Sequence, residues 1–318
     1  NYAKNNNVYT VICDQSTADG EQCIDDSQWR VWISGQNGKH TINNDTRSGT
    51  ADYSADSYRT VAGLDYAINK NTLLGFAFGS SKTQFDVAER DTSGLVESNS
   101  LAFYGSKDFD KMYLKGALSY DWLDAETRRF AFVEGSTAPI IPVAGVANNL
   151  QAQFDGKTFN GRLEAGYKTN WKKLNITPFA GVQLSFAKIG AATETAAESD
   201  DALALAYSKN DAYSAPVFVG AQIDSMFMLS EGSIQPYAKL SFAHDFSTKR
   251  AMEASFVSAP GYKFEVQGAV PDANTMDVNL GFKMTSITNL AFYGQFNGQY
   301  SENGAKNEGG TLGLEVHW

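Results

Sequence analysis

The stretch Lys111–Asp124 reads KMYLKGALSYDWLD, and it decides the fold class because its residue types alternate with period two. One face carries Met112, Leu114, Gly116, Leu118, Tyr120 and Trp122, and the other carries Lys111, Tyr113, Lys115, Ala117, Ser119 and Asp121. This alternation is typical of a β-strand with one apolar and one polar face. Strands in β-sandwiches average about five or six residues, whereas a membrane-crossing β-strand needs about 9–11 residues. The length of this stretch therefore favours a membrane-crossing strand.

The same pattern recurs along the chain, for example in Phe159–Trp171 and Leu174–Phe186, and several apolar faces end in Tyr or Trp. Twelve such segments lie near 28–38, 56–69, 72–88, 95–108, 111–131, 150–170, 174–190, 212–229, 233–256, 272–285, 289–301 and 308–318. Short turns fall at 69–71, 108–110, 171–173, 230–232 and 286–289. Longer links fall at 39–55, 89–94, 132–149, 191–211, 257–271 and 302–307.

Alternating short and long connections are typical of bacterial outer-membrane barrels, which have an even number of strands, short periplasmic turns and longer extracellular loops. The sequence therefore predicts an all-β fold, a transmembrane antiparallel 12-stranded outer-membrane β-barrel spanning 28–318. The pattern also predicts that the loops are extracellular and the C-terminus periplasmic. A closed ring is required because hydrocarbon leaves no partner for an unpaired sheet edge.

Composition narrows the function classes. The longest unbroken apolar run is the six residues Ala202–Tyr207, which excludes membrane-spanning helices of about 18 residues or more. The chain has 36 acidic and 26 basic residues, and this negative net charge makes nucleic acid an unfavourable partner. A 13% aromatic content excludes disorder, and the mean hydropathy of −0.33 reflects the averaging of wet and lipid-facing sides.

Glycine is abundant, with 28 residues. On the outer face it permits bends and close strand approach. Glycines on the inner face are expected to leave lumen volume free, at Gly75, Gly79, Gly166, Gly181 and Gly220.

The inward strand phase predicts a set of charged side chains lining the lumen. They are Arg30, Arg59, Asp65, Lys115, Asp121, Arg162, Glu164, Lys168, Lys239, Asp245, Asp277, Lys283 and Glu315. Because both signs occur, a strongly ion-selective pore is not indicated. The structural interpretation is a charge network that stiffens a wet wall, and the functional alternative is a track for a translocating chain or a plug.

No catalytic residue, metal site or cofactor is expected. The three histidines, His40, His244 and His317, lie far apart and lack metal-ligand spacing. His40 is expected near an external loop, His244 on the outward phase near a rim, and His317 on the inward phase at the periplasmic end.

The first 27 residues differ from the rest. They begin NYAKNNN, without Met, a basic n-region or an apolar h-region, which predicts a mature product or a fragment of a longer chain. Cys13 and Cys23 are the only cysteines, and their closeness makes them a disulfide candidate in an oxidising compartment, or else two thiols in a flexible leader. Residues 1–27 are therefore assigned to a linker segment ahead of the barrel.

The last strand, GGTLGLEVHW, places Leu312, Leu314, Val316 and Trp318 on one face. It resembles the C-terminal assembly signal of outer-membrane barrels. That resemblance implies the barrel-assembly machinery as a partner, with recognition by strand addition.

A broader resemblance follows from ESNSLAFYGSKDFDKMYLKGALSYDW, FDGKTFNGRLEAGYK, ITPFAGVQ and FAHDFSTKRAMEASFVSAPGYKFEVQGA. The most distinctive residues are Ala243–Phe246, Arg250, Ala254–Phe256 and Pro260–Gly261. This ordered series is similar to the C-terminal β-domain of monomeric autotransporters (type V secretion), over about 28–318.

The resemblance implies a monomeric translocator, integral to the outer membrane, that exports its own N-terminal passenger to the cell surface without ATP or catalysis. The family usually threads a linker helix through the pore, but 1–27 shows no apolar stripe of helical period. A self-cleaving Asn–Asn site would need Asn5–Asn7, since Asn43–Asn44 and Asn148–Asn149 fall in expected external loops, as does the apolar Ala138–Ala147. The alternatives are a free-standing outer-membrane pore or channel, and a barrel enzyme.

Overall fold

The computed structural model describes residues 28–43, 51–136, 144–196, 201–247, 251–267, 272–286 and 289–318. Within these ranges the regular structure is β-strand apart from one short 3₁₀ turn, Ala88–Arg90. No helix in the described part is long and apolar enough to cross a membrane.

The strands of the described part are numbered β1 to β20 in chain order. They are β1 (Trp29–Ile42), β2 (Tyr53–Asn69), β3 (Thr72–Val87), β4 (Thr92–Phe109), β5 (Met112–Val133), β6 (Val146–Tyr167), β7 (Thr169–Trp171), β8 (Leu174–Ile189), β9 (Ala192–Thr193), β10 (Thr195–Ala196), β11 (Leu205–Tyr207), β12 (Asn210–Ser214), β13 (Pro216–Asp224), β14 (Phe227–Leu229), β15 (Gly232–Asp245), β16 (Ala251–Phe256), β17 (Lys263–Gln267), β18 (Asn274–Ser286), β19 (Leu290–Ser301) and β20 (Lys306–His317).

Twelve of these strands form a closed antiparallel ring. Its order is β6-β5-β4-β3-β2-β1-β20-β19-β18-β15-β13-β8, and β8 pairs with β6 to complete it. Two wall strands are interrupted. One consists of β6 and β7, with β7 continuing β6 along β8, and the other consists of β12, β13 and β14, with β12 along β8 and β14 along β15. The predicted twelve-stranded antiparallel barrel is confirmed.

The two ends of the barrel differ in their connections. At one end the wall strands are joined by two- or three-residue turns, and Asp110, Lys172 and Asn289 adopt positive φ angles of 54°, 57° and 59° there. Asp and Asn tolerate this left-handed region better than most residues. At the other end β5 and β6 run for 22 residues each, beyond the length that a membrane requires.

Three details at the long end differ from the sequence prediction. The link expected at 89–94 is a tight turn built on Ala88–Arg90. Asn148–Asn149 lies inside β6 and not in a loop, because β5 and β6 continue pairing up to Val133↔Val146. The segment expected as one strand at 233–256 is two strands, β15 in the wall and β16 outside it.

The outer wall carries an apolar belt. On β5 it extends from Met112 to Trp122, after which the outward positions become charged at Asp124. Side chains in the belt remain exposed because no protein covers them: Phe103 is 54% exposed and Leu312 is 60% exposed. About 25 Å of such surface is what a bilayer core covers on an outer-membrane barrel.

Four of the five glycines expected on the inner face, Gly75, Gly166, Gly181 and Gly220, do not leave lumen volume free, contrary to the prediction. A Cβ at Gly75 would lie 2.3 Å from the Tyr104 ring, and one at Gly166 would lie 2.4 Å from the Tyr113 ring. The same relationship joins Gly181 to Phe218 and Gly220 to Phe179, at 2.4 and 2.5 Å. Each of these glycines therefore provides the space in which an aromatic ring of a neighbouring strand lies against the wall.

Four further strands form a second sheet that is not part of the ring, in the order β17-β16-β11-β9. We call it the external sheet. Register places Ala254, Tyr207 and Phe264 on one of its faces. Tyr207 packs against Phe154 of β6 with ring centroids 5.5 Å apart. The external sheet therefore packs against the lumen-facing side of β6, in the part of β6 near the long end of the barrel.

Candidate functional site

The interior wall holds two charged clusters, which we take as the candidate site. The first, near the short-turn end, joins β1, β2, β18 and β20. Arg30 forms a buried ion pair with Asp65, and its other side-chain nitrogen lies 3.6 Å from Glu315. Lys283 reaches Glu315 at 2.6 Å. Asp65 and Glu315 are buried, so the opposite charges offset much of each other's desolvation cost.

Aromatic donors complete this first cluster. The Trp32 indole nitrogen donates to Asp65 at 3.2 Å and to the Tyr104 hydroxyl at 2.7 Å. Tyr104 in turn donates to Asp65. The carboxylate of Asp65 on β2 thus accepts hydrogen bonds from Arg30 and Trp32 of β1 and from Tyr104 of β4, which fixes the register of the wall at this point.

The second cluster centres on Glu164 of β6. Its carboxylate accepts from the Tyr113 hydroxyl at 2.9 Å, from Lys239 at 3.0 Å and from Arg162 at 3.2 Å. The cations also lie over aromatic rings. Arg162 is 3.9 Å from the centroid of Phe218, Lys239 is 4.0 Å from that of Phe179, and Lys115 is 4.5 Å from that of Tyr113.

A cavity of about 590 Å³ opens between these side chains. The predicted residues that line it are Arg59, Lys115, Arg162, Glu164, Lys239, Asp245 and Asp277. Three other predicted residues bond elsewhere: Lys168 pairs with Asp108 at 2.8 Å, Asp121 accepts from Asn160 at 2.7 Å, and Lys283 belongs to the first cluster. The part that these charges play in translocation stays a prediction.

Sequence reasoning missed the uncharged half of the site. Tyr104, Tyr113, Phe179 and Phe218 all lie on the inward phase and are buried. The available signal was a glycine on the adjoining strand, since register pairs Tyr104 with Gly75 and Phe218 with Gly181.

The histidines are separated. The Nδ1 atom of His244 forms a hydrogen bond with Oδ1 of Asn274 at 2.8 Å, and the Nε2 atom of His317 lies 3.5 Å from the carboxylate of Glu315. His40 is in β1, near the end of the strand. Within the described ranges no three His, Cys, Asp or Glu side chains are grouped so that they could hold a metal ion. Cys13 and Cys23 lie outside the described residues, as do Asn5–Asn7 and most of Ala138–Ala147.

Outside the membrane belt, a buried glutamate joins the external sheet to β5. Glu194 accepts two hydrogen bonds from Arg129, both at 2.6 Å, and others from the Leu205 amide and the Tyr207 hydroxyl at 2.8 and 2.9 Å. Burial and the neighbouring carboxylate raise the pKa of Tyr207. Burial alone lowers the pKa of Arg129, but the contact with Glu194 outweighs it and the net direction is upward.

Comparison with known proteins agrees with this architecture. The model of the autotransporter β-domain family matches residues 31–297. Outer membrane protein B of Rickettsia japonica is 25% identical over 173 residues, which are 52% of this chain and 10% of that protein. An extracellular serine protease of Serratia marcescens is 20% identical over 271 residues, 83% of this chain and 24% of the protease. The chain thus spans a quarter or less of these two relatives.

Solved structures with the same fold include the translocator domain of NalP from Neisseria meningitidis. It superposes with a TM-score of 0.68 at 14% identity, covering 93% of this chain and 90% of that one. The β-domain of Bordetella BrkA gives 0.61 at 13% identity, covering 92% and 100%. The transport unit of AIDA-I from Escherichia coli gives 0.58 at 11% identity, covering 96% and 93%.

Proposed function

The chain belongs to the autotransporter β-domain family and is a translocator domain of the bacterial outer membrane, and from this premise we propose how it works. A passenger joined ahead of residue 1 passes through the barrel to the cell surface. Residues 1–27 form the linker and 28–318 the barrel. The observation that carries this proposal is the closed ring with a polar, charged interior and an apolar exterior.

The orientation follows from the connections. We propose that the short turns and the C-terminus face the periplasm, and that the long β5–β6 extension and the external sheet face outward. Outer-membrane barrels have this asymmetry, with short turns in the periplasm and longer loops outside the cell. With an even number of wall strands, Trp29 and Trp318 lie at the same end, as the proposal requires.

Assembly would use the last strand. Leu312, Leu314, Val316 and Trp318 form an outward apolar row on β20, with exposed fractions of 60%, 46%, 46% and 56%. We propose that the barrel-assembly machinery recognises this row by strand addition before β20 pairs with β1. The ring closes within one chain, which supports a monomer.

Catalysis is not part of the proposal. Two relatives are named as enzymes, the serine protease and the esterase EstA of Pseudomonas aeruginosa, and this chain covers only 24% and 43% of them. We place such activities in their passengers. Export would draw its free energy from folding of the passenger outside the cell, since passage through a passive barrel provides no other source.

Surface display tests the proposal. A small reporter domain with an epitope is fused between a signal peptide and Asn1, and its accessibility to external protease is measured on intact cells. Display of the reporter with the barrel folded supports export. Retention of the reporter in the periplasm, with the barrel folded, contradicts it. The alternative of a free-standing channel, which family membership disfavours, predicts large unplugged openings of the complete chain in planar bilayers.

A further inference from the structure

The apolar belt on the outer wall is not equally tall around the ring. On β8 every outward position in Leu174–Phe186 is apolar, and on β5 the outward positions in Met112–Trp122 carry neither charged nor amide side chains. On β1 the outward apolar positions end at Ile33, four residues after Trp29, and the next outward residue is Gly35. The belt is therefore much shorter at β1, where the ring closes, than on the opposite wall.

The difference corresponds to a large difference in height. A strand rises about 3.3 Å per residue, and a tilt of about 40° leaves roughly 2.5 Å of this rise along the membrane normal. The belt is then roughly 10 Å tall on β1, roughly 25 Å tall on β5 and roughly 30 Å tall on β8. Outer-membrane barrels present an apolar band of about 25 Å to the hydrocarbon, so β5 and β8 match a bilayer core and β1 does not.

A row of polar and small residues takes the place of the missing apolar ones. Gly35 pairs with Thr60 of β2, which in turn pairs with Ser80 of β3. Asn99 of β4 lies on the other side of Ser80, and it pairs with Trp122 of β5. The first four of these residues are exposed on the outward phase. The belt is thus low over several neighbouring strands and regains its full height at β5.

Charged and amide side chains continue this surface toward the long end of the barrel. Lys82 and Glu97, the next outward residues on β3 and β4, form an exposed ion pair at 3.1 Å. The Asn37 side chain on β1 accepts a hydrogen bond from the Gly310 amide of β20 at 3.1 Å. Tyr58 on β2 is 64% exposed, and tyrosine is enriched at membrane–water interfaces. This surface therefore fits headgroups and water and not hydrocarbon.

We propose that the sector formed by β20, β1, β2, β3 and β4 contacts a locally thinned bilayer, in which the row from Gly35 to Asn99 lies among headgroups and water. A lipid surface fits this sector because the polar row continues directly from the apolar belt, which is the lipid contact of the barrel. A bilayer accommodates a short hydrophobic wall by thinning, at modest cost. Because β1 and β20 close the ring, thinning also shortens the depth of hydrocarbon that their main chains face before they pair.

Spin-label accessibility of the complete chain in dioleoylphosphatidylcholine vesicles tests the proposal. Cys13→Ser and Cys23→Ser remove the native thiols, and one cysteine is added as Gly35→Cys, Ser80→Cys or Leu184→Cys. Leu184 is the matched control, since it lies ten residues from the short-turn end of β8, while Ser80 lies eight residues from that of β3. Because hydrocarbon excludes polar solutes, a water-soluble nickel complex is expected to collide with labels at 35 and 80 about tenfold more often than at 184.

Completing the belt tests its cause. Thr60→Leu, Ser80→Leu and Asn99→Leu, introduced together with Gly35→Cys, make the sector apolar to a greater height. The bilayer is then expected to thicken there, and nickel collisions of the label at 35 are expected to fall to the level of the β8 control. A label that stays equally accessible in the folded variant overturns the proposal.

The matched control adds three leucines where the belt already has its full height. Asp124→Leu, Lys157→Leu and Lys188→Leu replace exposed outward residues just beyond the belt on β5, β6 and β8. This variant is expected to leave nickel collisions of the label at Gly35→Cys unchanged. An equal fall in the control would mean that added apolar surface anywhere on the wall moves the label, and it would overturn the proposal.

Other arrangements of this sector have different signatures. A tilted barrel would draw Lys70, in the short turn between β2 and β3, into lipid, so a label at Lys70→Cys that avoids the nickel complex overturns the proposal. A second copy of the chain against the sector would shield the label at 35 from both nickel and oxygen and broaden its spectrum, which also overturns it. Equal nickel collisions at 35, 80 and 184 would show that the bilayer has one thickness around the barrel.

Discussion

The main chains of Trp29 and Trp318 exchange two hydrogen bonds, with N–O distances of 3.0 Å in both directions. Trp29 begins β1 and Trp318 follows the last residue of β20, so this pair closes the ring where the two ends of the wall meet. Beyond this pair the same seam continues for twelve residue pairs, from Arg30↔His317 to Thr41↔Lys306.

The seam predicts that deleting residue 318 lowers the stability of the folded barrel more than replacing its side chain does. Deletion leaves the Trp29 amide and carbonyl without partners at the membrane boundary, at about 1–3 kcal/mol for such a group. Trp318→Ala retains both main-chain bonds. The temperature at which the folded barrel loses its compact mobility on gels is expected to fall further for the deletion. Equal falls would assign the effect to the indole ring alone.

Gly75 predicts a steric penalty for an added side chain that Gly35 on β1 does not share. A Cβ at that position lies 2.3 Å from the Tyr104 ring and 2.5 Å from Asp65, so Gly75→Ala displaces the network around Asp65. Overpacking of this kind costs about 1–3 kcal/mol. Gly35→Ala on β1 is the matched control, because nothing lies within 4 Å of its added Cβ. Urea unfolding from lipid vesicles measures both, and equal stability of the two variants contradicts the prediction.

Asp65 predicts a large effect from loss of charge. Asp65→Asn leaves the buried Arg30 without its principal counter-charge and is expected to destabilise the barrel by about 3–5 kcal/mol. Replacing both partners, by Arg30→Met with Asp65→Leu, removes the unpaired charge and is expected to recover most of that loss. Urea unfolding followed by tryptophan fluorescence is the measurement. A double variant as unstable as Asp65→Asn would mean that the charge is not the cause.

Glu194 predicts a local effect outside the membrane. Glu194→Gln weakens the bidentate contact with Arg129, so the external sheet is expected to open more often and to be cleaved about tenfold faster by added protease. Glu253→Gln is the control, since its ion pair with Lys263 is exposed and such pairs contribute little. Cleavage near residues 201–209 reports the difference. Similar rates for both variants would exclude the proposed role of Glu194.

The strands of the barrel wall can be predicted from the sequence more completely than the loops at its ends or the packing of its interior. Period-two alternation specifies which side chain faces lipid, and it identifies strands such as β5 because a one-residue slip would reverse every face. The pairing of Tyr104 with Gly75 depends on register between strands, which one strand's pattern does not contain. The external sheet joins residues 192–207 to 251–267, and pairing over such distances leaves no local signal.

The most direct test of the central claim combines export and orientation in one cell. An epitope is placed ahead of Asn1, and Lys172→Cys is introduced with Cys13→Ser and Cys23→Ser, so that the single thiol lies in a short turn. External protease is expected to remove the epitope, while a membrane-impermeant thiol reagent labels residue 172 only after the outer membrane is opened. An epitope that stays protected on cells whose barrel is folded, or a residue 172 labelled on intact cells, would contradict the account.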